Sequence, residues 1–351
     1  MAPSYAAPFP RLIGARNLEP AAYSAMENTW RAGHFPGQEF RLLRFDEAYV
    51  TAEGLAFGLD LEPIAETITQ HSPAEIDASR QRIRASLQSG EELDHQIDLA
   101  LCYKRGATNY GHWLIEMVSR VALMAEACPG YTLGLPALEG QLAQVAMRST
   151  ELVAGAARRV YLRFDHVTKV SGLLVADGLS VHGCYLSPLA VEATRRLDAS
   201  LKIRPRNANL YVSRSRLAYR RLTNEDQVVA ALAAEGFITV YPEEMTLDQQ
   251  IDLFGHAACI VGVMGAAMTN VVFCPTGASV INIAPGGMPD TFFWLLCAIR
   301  KLDYTEIRCP PGEAGGGVMP WDGDIHVAPI LLNQVIEAAR ARARARASPQ
   351  Y

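Results

Sequence analysis

The sequence predicts an α/β protein of two domains, the second a parallel sheet with helices on both faces, and three observations carry that reading. The chain has 351 residues, more than one hydrophobic core comfortably organises. Half of it is apolar and a fifth is charged, with aromatic residues throughout, the composition of a globular protein with a sizeable core. Beyond residue 207, apolar runs alternate with amphipathic stretches in the order that a doubly wound sheet produces.

Residues 1–200 read as a mixed α/β domain, in which short β-like runs (Ala48-Tyr49-Val50, Leu173-Leu174-Val175-Ala176) lie between helical stretches at 111–127 and 137–147. Lys202-Ile203-Arg204-Pro205-Arg206-Asn207 combines charge with proline and is expected to be a linker. The second domain, 206–310, opens with a strand at 209–213 and a helix at 224–235, where Thr223-Asn224-Glu225-Asp226 resembles a capping box and Gly236 a stop. Strand 237–241 precedes helix 246–255; strand 258–263 leads into a Gly/Ala turn and helix. Strand 278–283 passes through Pro285-Gly286-Gly287 to helix 290–300. A last helix is expected over 326–347. Strands that are apolar throughout are buried on both faces, which is the parallel arrangement.

The formal charge, 32 − 37 = −5, argues against a protein built to hold a nucleic acid by counterion release. Seven cysteines are scattered without a C-x-x-C pair and mostly inside apolar runs, so they are expected to be reduced core residues and no metal site is expected. No apolar run reaches the ~18–20 residues that span a bilayer. The N-terminus shows no basic region followed by an apolar one, so the expected location is the cytoplasm. The Arg-x-Arg tail from Arg340 to Arg346 suits a solvated helix end or peripheral contact with the anionic surface of the inner membrane.

In a doubly wound sheet ligands bind at the carboxyl ends of the strands, where loops turn into helices. That rule selects Arg214 to Arg216, Tyr241 to Glu244, Gly262 to Asn270 and Ala284 to Asp290. Arginines after the first strand stand where permanently charged forks could grip a diphosphate. The small residues of Gly262 to Asn270 let backbone N–H groups approach an anion closely. The turn is not G-x-G-x-x-G, which tells against a nicotinamide-dependent oxidoreductase. In the first domain, Asn109-Tyr110-Gly111-His112-Trp113-Leu114-Ile115-Glu116 puts His112 and Glu116 one helical turn apart, close enough for a carboxylate to orient an imidazole acting as general base.

Taken in order, several motifs resemble the set found in family 61 glycosyltransferases (DUF563), known among capsular polysaccharide biosynthesis proteins. They are Asn109 to Trp113, Tyr211-Val212-Ser213-Arg214, Arg221-Leu222-Thr223-Asn224-Glu225, Tyr241 to Met245 with Gln249, and Gly262 to Asn270 followed by Phe273-Cys274-Pro275-Thr276-Gly277. The resemblance implies a GT-B-like fold of two Rossmann-like α/β lobes with a cleft between them. It also implies metal-independent, inverting transfer from a nucleotide sugar, foremost a UDP-sugar, to a glycan, glycolipid or other hydroxyl acceptor, without a cofactor.

Expected roles follow from the two readings together. His112 and Glu116 are the catalytic candidates; Arg214, Arg216, Arg221, Glu243, Gly265, Ala266, Thr269 and Asn270 are the donor-binding candidates. The departure from the family lies in one turn: Met264 stands where its members usually carry His and Ala267 where a second Gly is expected; Met cannot donate a hydrogen bond to a phosphate, and Ala narrows the space for close backbone approach. That departure motivates the alternative of a catalytically degenerate homologue that binds a nucleotide sugar or glycan.

Overall fold

The computed structural model describes residues 1–89, 94–163, 166–198, 207–310 and 319–347; residues 202–206 of the expected linker lie outside them. The chain divides into two compact units. One comprises Met1–Pro3, Gly37–Ser180 and Leu189–Ala199, the other Ser4–Pro36, Val181–Pro188 and Ser200–Tyr351.

The first unit is built on a seven-stranded mixed sheet. Its parallel part runs Thr168–Asp177, Asp94–Leu101, Thr132–Pro136, Arg159–Leu162, and the strands Arg41–Phe45 and Ala48–Val50 add to Thr168–Asp177 antiparallel. The short apolar runs noted in the sequence are thus strand Ala48–Val50 and the middle of Thr168–Asp177. The helix expected at 111–127 forms with an interruption. An α turn, Tyr110–His112, passes into a π turn, Trp113–Met117, before α geometry resumes at Val118–Ala127. A π turn carries one more residue per turn and re-aims the side chains around it, which is why such turns gather at functional sites. The expected helix at 137–147 is Gly140–Ala154.

The second unit contains a six-stranded, wholly parallel sheet. Its order is Phe237–Val240, Ala208–Val212, Ala257–Val263, Ser279–Pro285, Asp303–Cys309, Arg11–Ile13. Every residue of Ala257–Val263 and Ser279–Pro285 is buried, as continuous apolar strands require. The chain steps from Ala208–Val212 to one side and then crosses to the other, so the strand order reverses between Ala208–Val212 and Ala257–Val263. A crevice opens at the carboxyl ends of two such strands, because their connections leave in opposite directions. The C-terminal helix, Pro329–Ala347, seats Leu331, Val335 and Ala339 in the core beside Ile281, Ile283 and Ile307, four residues apart and so on one face.

Three local expectations need correction. Asn224 does not cap helix Glu225–Ala233; its amide instead exchanges two hydrogen bonds with the backbone of Val327. The capping box lies at Thr246 and Gln249, which close the start of helix Leu247–Gly255 and contribute about 1 kcal/mol. The helix after the Gly/Ala turn, Ala266–Phe273, is a 3₁₀ helix, tighter than the α-helix expected. Five cysteines are buried, whereas Cys184 is exposed and Cys128 partly so.

Candidate functional sites

In the first unit, the central strand Asp94–Leu101 ends in a loop carrying Lys104, and the neighbouring parallel strand Thr168–Asp177 ends near Ser180. Asn109 then starts the helix, its side-chain oxygen accepting from the amides of Gly111 at 2.9 Å and His112 at 3.4 Å. Gly106, at φ +91°, packs under the imidazole; a Cβ there would press on the His112 ring at 3.1 Å.

His112 Nδ1 lies 2.6 Å from Glu116 Oε2. The other carboxylate oxygen accepts from Lys104 Nζ at 2.6 Å and Ser180 Oγ at 2.5 Å, and Lys104 also donates to Ser180 at 3.2 Å. Arg120, buried behind them, donates to the carbonyl of Glu116. Burial works against the Glu116 charge, but the His112 hydrogen bond and the Lys104 ammonium outweigh it and hold the carboxyl well below the usual carboxylate range. Burial lowers the Lys104 pKa in turn, a shift partly offset by Glu116. An ionised Glu116 accepts the Nδ1 proton, which leaves the lone pair of a neutral imidazole on Nε2. His112 keeps about a third of its side chain exposed (35 %), whereas Glu116 keeps 8 %. Trp113 is core, its indole donating to Ser149.

In the second unit, Arg214 follows strand Ala208–Val212 and is buried. Its Nε and Nη2 donate to the Tyr219 carbonyl, and Nη1 lies against Gly265, where a Cβ would collide with it. Gly265 is extended, so glycine is required there for space and not for its dihedral. Arg220, at φ +54°, donates through Nη1 to the carbonyl of Met264 and stands 3.7 Å from Asp322. Burial, and Arg220 beside it, bring the Arg214 guanidinium down to about 10, still charged at neutral pH.

Not every sequence candidate joins this cluster. Arg221 turns to the surface and holds Asp324 through Nε and Nη2, so its neighbour Arg220 is the residue beside Arg214. Arg216 is exposed, pairs with Glu244 and stacks on the Tyr241 ring at 3.7 Å. Asn270 is buried and tied to Gln250 and to the Ala267 carbonyl. Ala266 is partly exposed at the start of the 3₁₀ helix, while Thr269 is buried with a hydroxyl that has no partner. Glu243 sits in the 3₁₀ turn Pro242–Glu244 with both carboxylate oxygens buried and unpartnered. Met264 is wholly buried and offers the site only its backbone.

Sequence reasoning missed Lys104, Ser180 and Asp322, and left Arg220 behind Arg221. The one available signal was Lys104 itself, a cation directly after the apolar run Leu99 to Tyr103 at a strand end.

The glycosyltransferase 61 family matches residues 110–281, which include His112, Glu116, Arg214, Glu243 and the Gly265 turn. Over 98 residues the chain is 31% identical to protein O-linked-mannose beta-1,4-N-acetylglucosaminyltransferase 2 of Danio rerio. That alignment covers 26% of this chain and 17% of the relative's length. The segment 110–281 belongs to the glycosyltransferase 61 family, as the ordered motifs implied.

Proposed function

We propose, from a chain whose residues 110–281 are of the glycosyltransferase 61 family, that this protein is an inverting glycosyltransferase of GT-B architecture. It would move a sugar from a nucleotide sugar to a glycan or other hydroxyl acceptor, in polysaccharide biosynthesis of the capsular type, without a metal. The observation that carries the reading is the 2.6 Å contact of His112 Nδ1 with a charged, buried Glu116 inside the family segment. A single displacement needs one base. The acceptor oxygen attacks the anomeric carbon as its proton passes to His112 Nε2, and Glu116 stabilises the imidazolium that forms. The bond to the diphosphate breaks with its electron pair on the leaving oxygen, whose charge Arg214, Arg220 and the amides from Ala266 onward can meet.

The competing reading, a homologue that binds without turnover, rests on Met264. Its weight is reduced by Arg220, whose guanidinium on the Met264 carbonyl supplies hydrogen-bond donors where the family has His. Incubation with a panel of UDP-, GDP- and CMP-sugars in excess EDTA, with the product anomer read by NMR, tests the proposal. The zebrafish relative is named for N-acetylglucosamine transfer, so that sugar heads the panel. Inversion in EDTA is expected; retention, or turnover restored only by magnesium or manganese, would sink the mechanism.

Location belongs to the same proposal. Among the described residues no helix is long and apolar enough to cross a membrane. Arg340 at the base of the basic tail is held by Glu235, and the side chains beyond Ala341 lie outside the described residues. Cytoplasmic placement with peripheral contact at the inner membrane is testable by cell fractionation with and without the tail.

A further inference from the structure

The mechanism leaves two side chains beside the base unused, Lys104 and Ser180. Both arrive there because the neighbouring parallel strands Asp94–Leu101 and Thr168–Asp177 end side by side, and each residue stands three places beyond its strand. Lys104 keeps only 6 % of its side chain exposed, and an ammonium so buried needs an anion. That anion is Glu116, whose Oε1 accepts from Lys104 Nζ at 2.6 Å and from Ser180 Oγ at 2.5 Å, while Lys104 also donates to Ser180 at 3.2 Å. Oε2 is left for His112.

The other charged groups nearby are engaged elsewhere. Arg120, on the same helix, donates to the Glu116 carbonyl and not to its carboxylate, and the groups whose charge it feels are Glu116, Cys102 and Asp177. Asp177 is paired with Arg41. Among the described residues, Lys104 is therefore the cation bound to the Glu116 carboxylate besides His112 itself.

Charge balance shows what the ammonium supplies. A buried carboxylate is stable when a cation matches it, and without Lys104 the match would have to come from a proton added to the His112–Glu116 pair. Two arrangements of that proton exist. Either His112 is an imidazolium, or Glu116 is a neutral acid donating to Nδ1 with the ring proton on Nε2. In both, Nε2 carries a hydrogen and has no lone pair for an acceptor hydroxyl. With the ammonium in place the pair has no need of the extra proton.

We propose that Lys104, held by Ser180, is the positioning residue that neutralises Glu116 before substrate arrives and so keeps Nε2 of His112 vacant. This role rests on His112 being the base, and the test separates the two. The pH dependence of kcat/KM and of the His112 ring resonances, identified by their loss in His112→Ala, is measured for the wild type, Lys104→Met, Lys104→Arg, Ser180→Ala and Glu116→Gln. Lys104→Met is expected to lower kcat/KM roughly tenfold at neutral pH and to recover in alkali as the extra proton leaves, with the ring transition moved to higher pH. Ser180→Ala should do the same to a smaller extent, and Lys104→Arg, which retains the charge, should stay near the wild type. Glu116→Gln should move the ring transition the opposite way, with a rate loss that alkali does not recover. A ring transition that stays in place in Lys104→Met, or in Ser180→Ala should Lys104→Met not fold, marks an ion pair of structural use only and overturns the role of Lys104. An equal movement in Lys104→Arg also overturns it, because the charge would not be the cause. Movement as expected while His112→Ala keeps near-native turnover leaves the role of Lys104 standing and removes His112 as the base.

Discussion

The two units bury charge in opposite ways. In the first, Glu116 collects His112, Lys104 and Ser180 within 2.6 Å, and the charges are matched inside the protein. In the second, the buried Arg214 guanidinium lies near the partly buried Arg220, Arg214 donates to a carbonyl instead of a carboxylate, and the Glu243 carboxylate accepts no hydrogen bond. A closed set of charges suits a site that must hold one protonation state and pass one proton, because its geometry is complete before substrate arrives. An open set suits a site completed by an ionic ligand. Burial and pairing, considered together, separate a base from a binding site more clearly than residue type does.

The comparison breaks most visibly at His112. His112→Ala is expected to lower kcat by roughly 10²–10⁴-fold with the donor dissociation constant nearly unchanged, and Glu116→Gln to act likewise but less strongly. Steady-state kinetics beside donor titration checks this, and near-native turnover in folded His112→Ala would make the motif structural.

Lys104→Met should cost about 3–5 kcal/mol of stability in urea melts, because it leaves Glu116 charged, buried and short of its ammonium. The same truncation at Arg214 removes a cation that no carboxylate matches and is expected to cost less. Acid provides the sign check. The folded pKa of Glu116 is depressed, so its contribution is present above the ordinary carboxylate range and is lost as pH falls through the depressed value. The stability gap between wild type and Lys104→Met should therefore narrow on acidification, and a gap constant with pH would show that the pair is not responsible.

Smaller again is the effect expected in the open set. Arg214→Ala should weaken nucleoside diphosphate binding by roughly 1–3 kcal/mol. Gly265→Ala should act in the same direction, since its methyl would take the space of the guanidinium. Unchanged affinity in either folded variant would remove the turn from the donor site. The smallest effect belongs to Arg221→Ala, whose exposed pairing with Asp324 should leave binding and melting within error of wild type. A large loss of binding there would place Arg221, and not Arg220, beside the diphosphate.

The α/β class, the run of parallel strands from 208 to 285, the His112–Glu116 pairing and the Gly265 turn were all legible in the order of residues. Each depends on residues close in the chain, where helical and strand periodicity or a strand-turn-helix order sets the geometry. Tertiary structure decided the rest. Strand Asp303–Cys309 escaped notice because Glu306 and Arg308 break its apolar run, although they are buried and satisfy each other. Arg11–Ile13 joins the same sheet from nearly three hundred residues away, and three residues carry no periodic signal. Asn224 gave up its cap for Val327, and Lys104 and Ser180 met Glu116 because two parallel strands end side by side. Neighbouring arginines at 220 and 221 have different partners, Arg220 at a positive φ donating to the Met264 carbonyl and Arg221 to Asp324. Pairing between distant segments depends on where the backbone brings them, and no local pattern encodes that position.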